Sequence, residues 1–448
     1  MTRTPLVVAT AVTCLALSAS APLRAQEIRF NVVAYRLDNG LKVLALEDHT
    51  IPTISYYTFF RVGSRDERVG RTGISHLFEH MMFKGAKKYG PGEFDRQMES
   101  RGGYSNAFTT EDMTAYHETF PAEALEQVID MEADRMASLQ ISEENLKSER
   151  DVVKEERRLR YDNDIFGSMY ELLQAQAYLA HPYHWPVIGW MADLDAITVA
   201  DCQDYFRTHY APNNATIVLV GDLKAERSID LIGKAYGAIP AQAAPPAVVR
   251  NEPPQQGERR AILRKAAQAP AVALAYHIPA ASVPDVFALD LLEILLGRGD
   301  SSRLVRSLVY EKELATQVIV ESPWRLDPSL FLIDAEAKPG VAPEALEAAL
   351  TEEIELLGRE EVADAELQKA KNIRTTSQVK DLKTSDGKAD QLGRFDLVLG
   401  SYQRLFSALK TYDAISKADL KGVAARYLRR DNRTVVTLVP TSVGEGAR

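Results

Sequence analysis

Two spacings of apolar residues alternate along this chain. Runs such as "LKVLAL" (41–46), "TISYYTFF" (53–60) and "AVALAYHI" (271–278) are short, β-branched or aromatic, and bounded by turn residues, which predicts strands. Segments near 93–100, 122–138, 142–160 and 344–357 bring apolar residues back every three or four positions, which predicts amphipathic helices. Both kinds occur on each side of "IPAQAAPPAVVRNEPPQQGER" (239–259), a Pro-rich stretch that reads as an extended linker.

The two sides echo one another. "ITVADCQDYFRTHYAPNNATIVLV" begins at Ile197, and "ISKADLKGVAARYLRRDNRTVVTL" begins 218 positions later at Ile415. Without a gap, Ile197, Ala200, Asp201, Asn214, Thr216 and Val218 fall on Ile415, Ala418, Asp419, Asn432, Thr434 and Val436. Each copy is an amphipathic helix, a turn and a β-branched strand, which favours a duplicated domain. A chain of 448 residues is also long for one core. The expected fold is therefore α+β: two homologous domains, each a mostly antiparallel sheet flanked by helices, at 26–238 and 260–448 around the linker.

The start of the chain changes the picture of where it works. Arg3, the apolar run "LVVATAVTCLAL" (6–17) and small residues up to Ala25 read as a secretory signal, 1–25, with cleavage after Ala25 preferred over Ala21. The run is short for a stable membrane span. Removal of the signal takes Cys14 with it and leaves Cys202 alone, so no internal disulfide can form. An exported chain without disulfides points to the periplasm. A formal net charge of −10 argues against nucleic acid as a partner.

The candidate chemistry lies in "GISHLFEHMMFKG" (73–85). On a helix, His76, Glu79 and His80 share an arc of about 100°. Two histidines on an apolar helix can be hydrogen-bonded core residues, or they can place two imidazole nitrogens on one metal. The order His-x-x-Glu-His is the inverted zincin pattern and favours the metal. A third ligand is available in "SEENLKSERDVVKEERRLRYDN" (142–163). There Glu149 and Glu156 fall on the same helical arc as Val152, Val153 and Leu159, with Glu155 at its margin. Carboxylates on an apolar arc need a positive partner. In the second half, "DLLEILLG" (290–297) stands where "HLFEHMMF" (76–83) has its copy, with Asp290 and Ile294 in place of the histidines and Glu293 for Glu79. The second domain is expected to lack metal ligands.

His-x-x-Glu-His, followed by Glu149-Arg150-Asp151-Val152 and Glu156, resembles the pitrilysin and mitochondrial processing peptidase family of zinc metallopeptidases, the inverzincins, in its short bacterial zinc-bearing subunit form. The resemblance runs over nearly the whole chain after the signal. It implies a zinc metalloendopeptidase, a hydrolase of peptide bonds, with one zinc per chain held by His76, His80 and Glu156. It implies Glu79 as general base and Glu149 as a carboxylate orienting a ligand. "GGYSNAFTTEDMTAYHETF" (102–120) resembles the family's edge strand, which implies substrate contacts for Asn106, Ala107 and Phe108 and leaves His117 a strand residue. Active members also carry an Arg and a Tyr in the second half that hold the substrate carbonyl and the oxyanion. Here "LVYEKELAT" (308–316) has Val309 and Thr316 at those places. The expectation is therefore a heterodimer with a homologous zinc-less chain that supplies the pair. A non-catalytic structural subunit of a larger assembly is the alternative.

Overall fold

A computed structural model describes residues 29–245 and 251–441. The expected signal segment and residues 246–250 of the Pro-rich stretch lie outside the described residues. The first half contains β1 (Val32–Arg36), β2 (Lys42–Glu47), β3 (Thr53–Phe60), α1 (Ile74–Met81), α2 (Glu93–Ser100), β4 (Tyr104–Thr109) and β5 (Thr114–Pro121). It continues with α3 (Leu125–Ser138), α4 (Glu143–Arg157), α5 (Ile165–Ala177), α6 (Met191–Ala196), α7 (Val199–His209), β6 (Ala215–Gly221) and α8 (Ala225–Tyr236). In the second half lie β7 (Arg259–Ala266), β8 (Ala271–Ile278), α9 (Asp285–Gly297), β9 (Ala315–Glu321) and β10 (Ser329–Ala337). There follow α10 (Pro343–Arg359), α11 (Asp364–Asp381), α12 (Ser385–Val398), α13 (Arg404–Ala414), α14 (Lys417–Tyr427) and β11 (Arg433–Thr441).

The sheets carry the duplication. The first has the order β1-β2-β6-β3-β5-β4 and the second β7-β11-β8-β10-β9. With β1 set aside the orders match strand for strand. In each, one pair runs parallel (β2 with β6, β7 with β11) and the rest antiparallel. This is the duplicated α+β fold expected from the sequence. β4 is an edge strand, as expected for its segment.

Both faces of the first sheet are apolar, but the first half covers only one of them. Tyr56 and Phe60 of β3 pack on the local helices, with Phe78 and Val128 in the same core. The opposite face, with Leu44, Leu46, Tyr57, Phe59, Val218 and Val220, is covered by α12 from the second half through Ala389, Leu392 and Phe395. The reverse contact mirrors it. α5 of the first half lies on β7, β8 and β11, setting Met169, Leu173 and Ala177 against Ala271, Ala273, Ala275, Val436 and Leu438. The two halves thus exchange equivalent helices. At Gly393 a Cβ would sit 2.0 Å from the Phe59 ring, so this close approach requires glycine.

One helix departs from its expected course. The segment predicted as a helix to 160 is α-helical to Arg157 and then forms a π-turn, Arg158–Asp162. Leu146, Glu149, Val153 and Arg157 are its buried face, while Val152 is 47% and Leu159 72% exposed. The apolar arc is therefore narrower than predicted. The wider π-turn changes the helical phase before Leu159, which the 3.6-residue spacing cannot anticipate. Cys202 is buried with a free thiol. Among the described residues no helix is long and apolar enough to cross a membrane.

Candidate metal centre

α1 is built to present one polar face. Ile74, Leu77, Phe78 and Met81 recur at helical spacing and enter the core, leaving His76, Glu79 and His80 toward a cavity of about 930 Å³. Gly73 caps the helix at φ 84°, and a Cβ there would lie 2.4 Å from the Ile188 carbonyl oxygen. The buried Glu67 carboxylate accepts the first free amides of the helix, from Gly73 and Ser75, each at 2.8 Å. α1 therefore has a fixed start and a fixed rotation.

α4 packs beside it and is capped by Ser142, whose hydroxyl accepts the Asn145 amide. Its buried face carries Glu149, and both Glu149 and Glu156 line the cavity. Glu156 Oε2 stands 3.7 Å from His76 Nε2 and 3.5 Å from His80 Nε2. These separations are at or beyond the limit for hydrogen bonds. They suit ligand atoms that each lie about 2.0–2.1 Å from one tetrahedral zinc. Among the described residues, His76, His80 and Glu156 form the one group of three side chains able to share a metal ion, their ligand atoms all lying within 4.8 Å of one another. The donor set, two imidazoles and one carboxylate, fits zinc.

Neighbouring charges hold these groups in place. Glu149 Oε2 is 3.4 Å from His80 Nδ1, and Oε1 is 2.7 Å from Lys84 Nζ. Arg160 Nη1 pairs with the other oxygen of Glu156 at 3.0 Å, which leaves Oε2 for the histidines. Burial, aided by the His80 charge, pushes His76 down to about 4, so its ring is neutral. At His80 burial opposes charge, but the nearby Glu149 and Glu156 carboxylates outweigh it and raise the ring to about 9. Glu149 is buried too, yet His80 and Lys84 pull it down to about 2. Two carboxylates thus face one site that favours a cation.

Glu79 lies on the same cavity and its pKa is raised by burial, while a hydrogen bond from Thr109 opposes the rise. Asn106, Ala107 and Phe108 line the cavity too. Their side chains alternate across the strand: Ala107 packs toward the first core, whereas the Phe108 ring lies by His117 and under the Arg394 guanidinium. His117 stacks on Tyr57 within the sheet and takes no part in the cluster. Glu155 points outward to Arg158. Thr109 was not singled out in the sequence, although period-two alternation puts it on the Ala107 face, directly toward α1. Val309 lies in the π-helical segment Val305–Glu311, packed against the second core, and the Thr316 hydroxyl donates to Glu336 at 3.0 Å.

Known proteins resemble this chain in sequence and fold. The sequence matches the family described as Insulinase (Peptidase family M16) over residues 42–189, and Peptidase M16 inactive domain over residues 196–374. It is 36% identical over 414 residues to the zinc protease PqqE of Helicobacter pylori, across 90% of this chain and 92% of that protein. The crystal structure of a protease from Helicobacter pylori superposes with a TM-score of 0.88 at 34% identity, covering 92% of this chain and 100% of that one. The first half of the periplasmic protease PqqL from Escherichia coli shares the fold, with a TM-score of 0.73 at 19% identity over 92% of each chain.

Proposed function

This chain belongs to peptidase family M16, and from that premise we propose that it is a zinc-dependent metalloendopeptidase that hydrolyses peptides or unfolded segments together with a homologous partner chain. The observation that carries the reading is the convergence of His76, His80 and Glu156 on one point, with Glu79 beside them in the same cavity. One zinc held by those three residues would supply Lewis-acid polarisation of the scissile carbonyl and a more acidic water. Glu79 accepts the proton of the attacking water and returns it to the leaving amine. Glu149 and Lys84 fix the His80 ring, and Arg160 fixes Glu156. The peptide adds as a strand to the free edge of β4, along Asn106, Ala107 and Phe108. The name of the PqqL relative, together with the N-terminal signal pattern, supports a periplasmic location for this chain. The division into 26–238, a linker at 239–259 and 260–448 belongs to the same proposal.

The oxyanion side is incomplete. Neither Val309 nor Thr316 lines the zinc cavity, and neither offers the cation of an Arg or the phenol of a Tyr. Such a donor contributes about 10² to 10³ in rate. A homodimer would repeat the same lack, so the partner is a zinc-less homologue that keeps Arg and Tyr. The test is peptide cleavage by this chain, by its homologue and by the mixture, with and without chelator. Weak activity alone and strong chelator-sensitive activity on mixing are expected. Full activity from this chain alone would remove the partner, and no cleavage under any condition would leave the non-catalytic structural role.

A further inference from the structure

The Thr109 hydroxyl donates to Glu79 Oε2 at 2.5 Å, the length of a charge-assisted bond to a carboxylate. An ionised carboxylate can only accept, so the single Thr109 proton is committed to it. The nearby Thr114 hydroxyl lies 3.5 Å from Thr109 but 3.0 Å from the Val62 carbonyl oxygen, where it donates. It leaves the Thr109–Glu79 bond undisturbed. Among the described residues Thr109 is the one side chain that hydrogen-bonds Glu79, and Oε1 is left without a protein partner. The carboxylate is thus pinned by one oxygen and free at the other.

Thr109 ends β4, the edge strand beside α1. We infer that Thr109 is a positioning residue: its hydroxyl turns Glu79 so that Oε1 meets the reacting water, and it ties the base to the strand that receives the peptide. The inference rests on the peptidase reading. Alignment of the base matters to the reacting state more than to peptide binding, so the effect should fall on kcat and spare KM.

The test uses the full chain, zinc-loaded and mixed with its partner. Thr109→Val removes the donor and keeps the branched shape, whereas Thr109→Ser keeps the donor. Thr109→Val should keep its zinc content and KM and lose about 10- to 100-fold in kcat, the usual size for an outer contact that orients a reacting group. Thr109→Ser should recover most of the loss. A second readout needs no turnover: calorimetric titration with a peptide hydroxamate, whose hydroxyl proton Glu79 would take, should weaken in Thr109→Val and recover in Thr109→Ser. Unchanged kcat and hydroxamate affinity in Thr109→Val would overturn the inference, as would a Thr109→Ser variant as impaired as Thr109→Val. If even the unmutated complex cleaves no peptide, the peptidase reading fails, and the hydroxamate series decides on Thr109 by itself.

Discussion

In the first half α1 faces α4 across His76, His80 and Glu156; in the second, α9 faces α11 across Asp290 and Arg374. Asp290 stands 214 positions after His76, and Arg374 stands 218 after Glu156. The signs are reversed: a carboxylate replaces the imidazole, and a guanidinium replaces the carboxylate. Arg374 Nε lies 3.1 Å from Asp290 Oδ2, and the Tyr412 hydroxyl donates to the same oxygen. Each copy of the helix pair therefore gathers carboxylates around a cation. In the second half the cation is part of the chain; on the proposed function the first half takes it from solution. The retained glutamates differ in the same way. Glu79 is held by a side-chain hydroxyl from β4, whereas Glu293 accepts the backbone amide of Ser322, just past β9, at 3.1 Å. In the second copy the donor is thus a backbone amide, which persists whatever side chain other than proline stands at position 322.

The sharpest break between the copies should come from the glutamates. Glu79→Gln is expected to lower peptide turnover by about 10²-fold or more while zinc stays bound. Glu293→Gln should leave turnover unchanged, and steady-state kinetics with elemental analysis reads both. Equal losses would mean that the two glutamates share a structural role.

Next come the charged partners. Glu156→Gln should strip most of the zinc, with Glu155→Gln as a control that keeps it. Arg374→Met should leave zinc intact but strand Asp290, at a cost of about 3 kcal/mol measured by denaturant unfolding. The double variant Asp290→Asn with Arg374→Met should recover much of that stability. A double variant no better than Arg374→Met would show that the pair is not coupled.

The smallest effect concerns pH. Burial, reinforced by Asp290, pushes Glu293 up to about 7 from an ordinary value of 4.5. The folded state therefore binds this proton more tightly than the unfolded state, and the associated stability is full below 4.5 and lost as pH rises through 7. Glu293→Gln, which can still accept the Ser322 amide, should flatten that fall. Its gain over the unmutated chain at pH 7.5, relative to pH 4.5, is expected on the order of 2 kcal/mol. An equal difference at both pH values would count against a buried, proton-holding Glu293.

Much of this was legible in the sequence because α1 is short and strictly periodic. The spacing of Ile74, Leu77, Phe78 and Met81 set the direction of His76, Glu79 and His80 before any neighbour was known. The repeat around Ile197 and Ile415 gave the duplication, since helix, turn and strand returned in one register. Glu156 was reachable for the same reason, but the π-turn after it was not, and Val152 and Leu159 were placed inward when they face outward. Thr109 and Arg374 were missed because each acts through an element distant in sequence. Periodicity reports which side of a helix or strand is apolar and nothing about what lies against it. The exchange of α5 and α12 was hidden for that reason too.

That exchange bears on how the chain is made. Synthesis delivers β3 and β6 long before α12, so Phe59 must wait for Gly393 and its helix with its side of the sheet bare. The N-terminal half is thus an unfinished object throughout elongation, and its closing contacts span most of the sequence, a topology that folds slowly. On the proposed periplasmic location the delay has a use, because a half that cannot close early stays loose enough to be threaded. Once both helices have crossed, the halves are clasped. A cut in the linker would then leave two pieces that still hold one another.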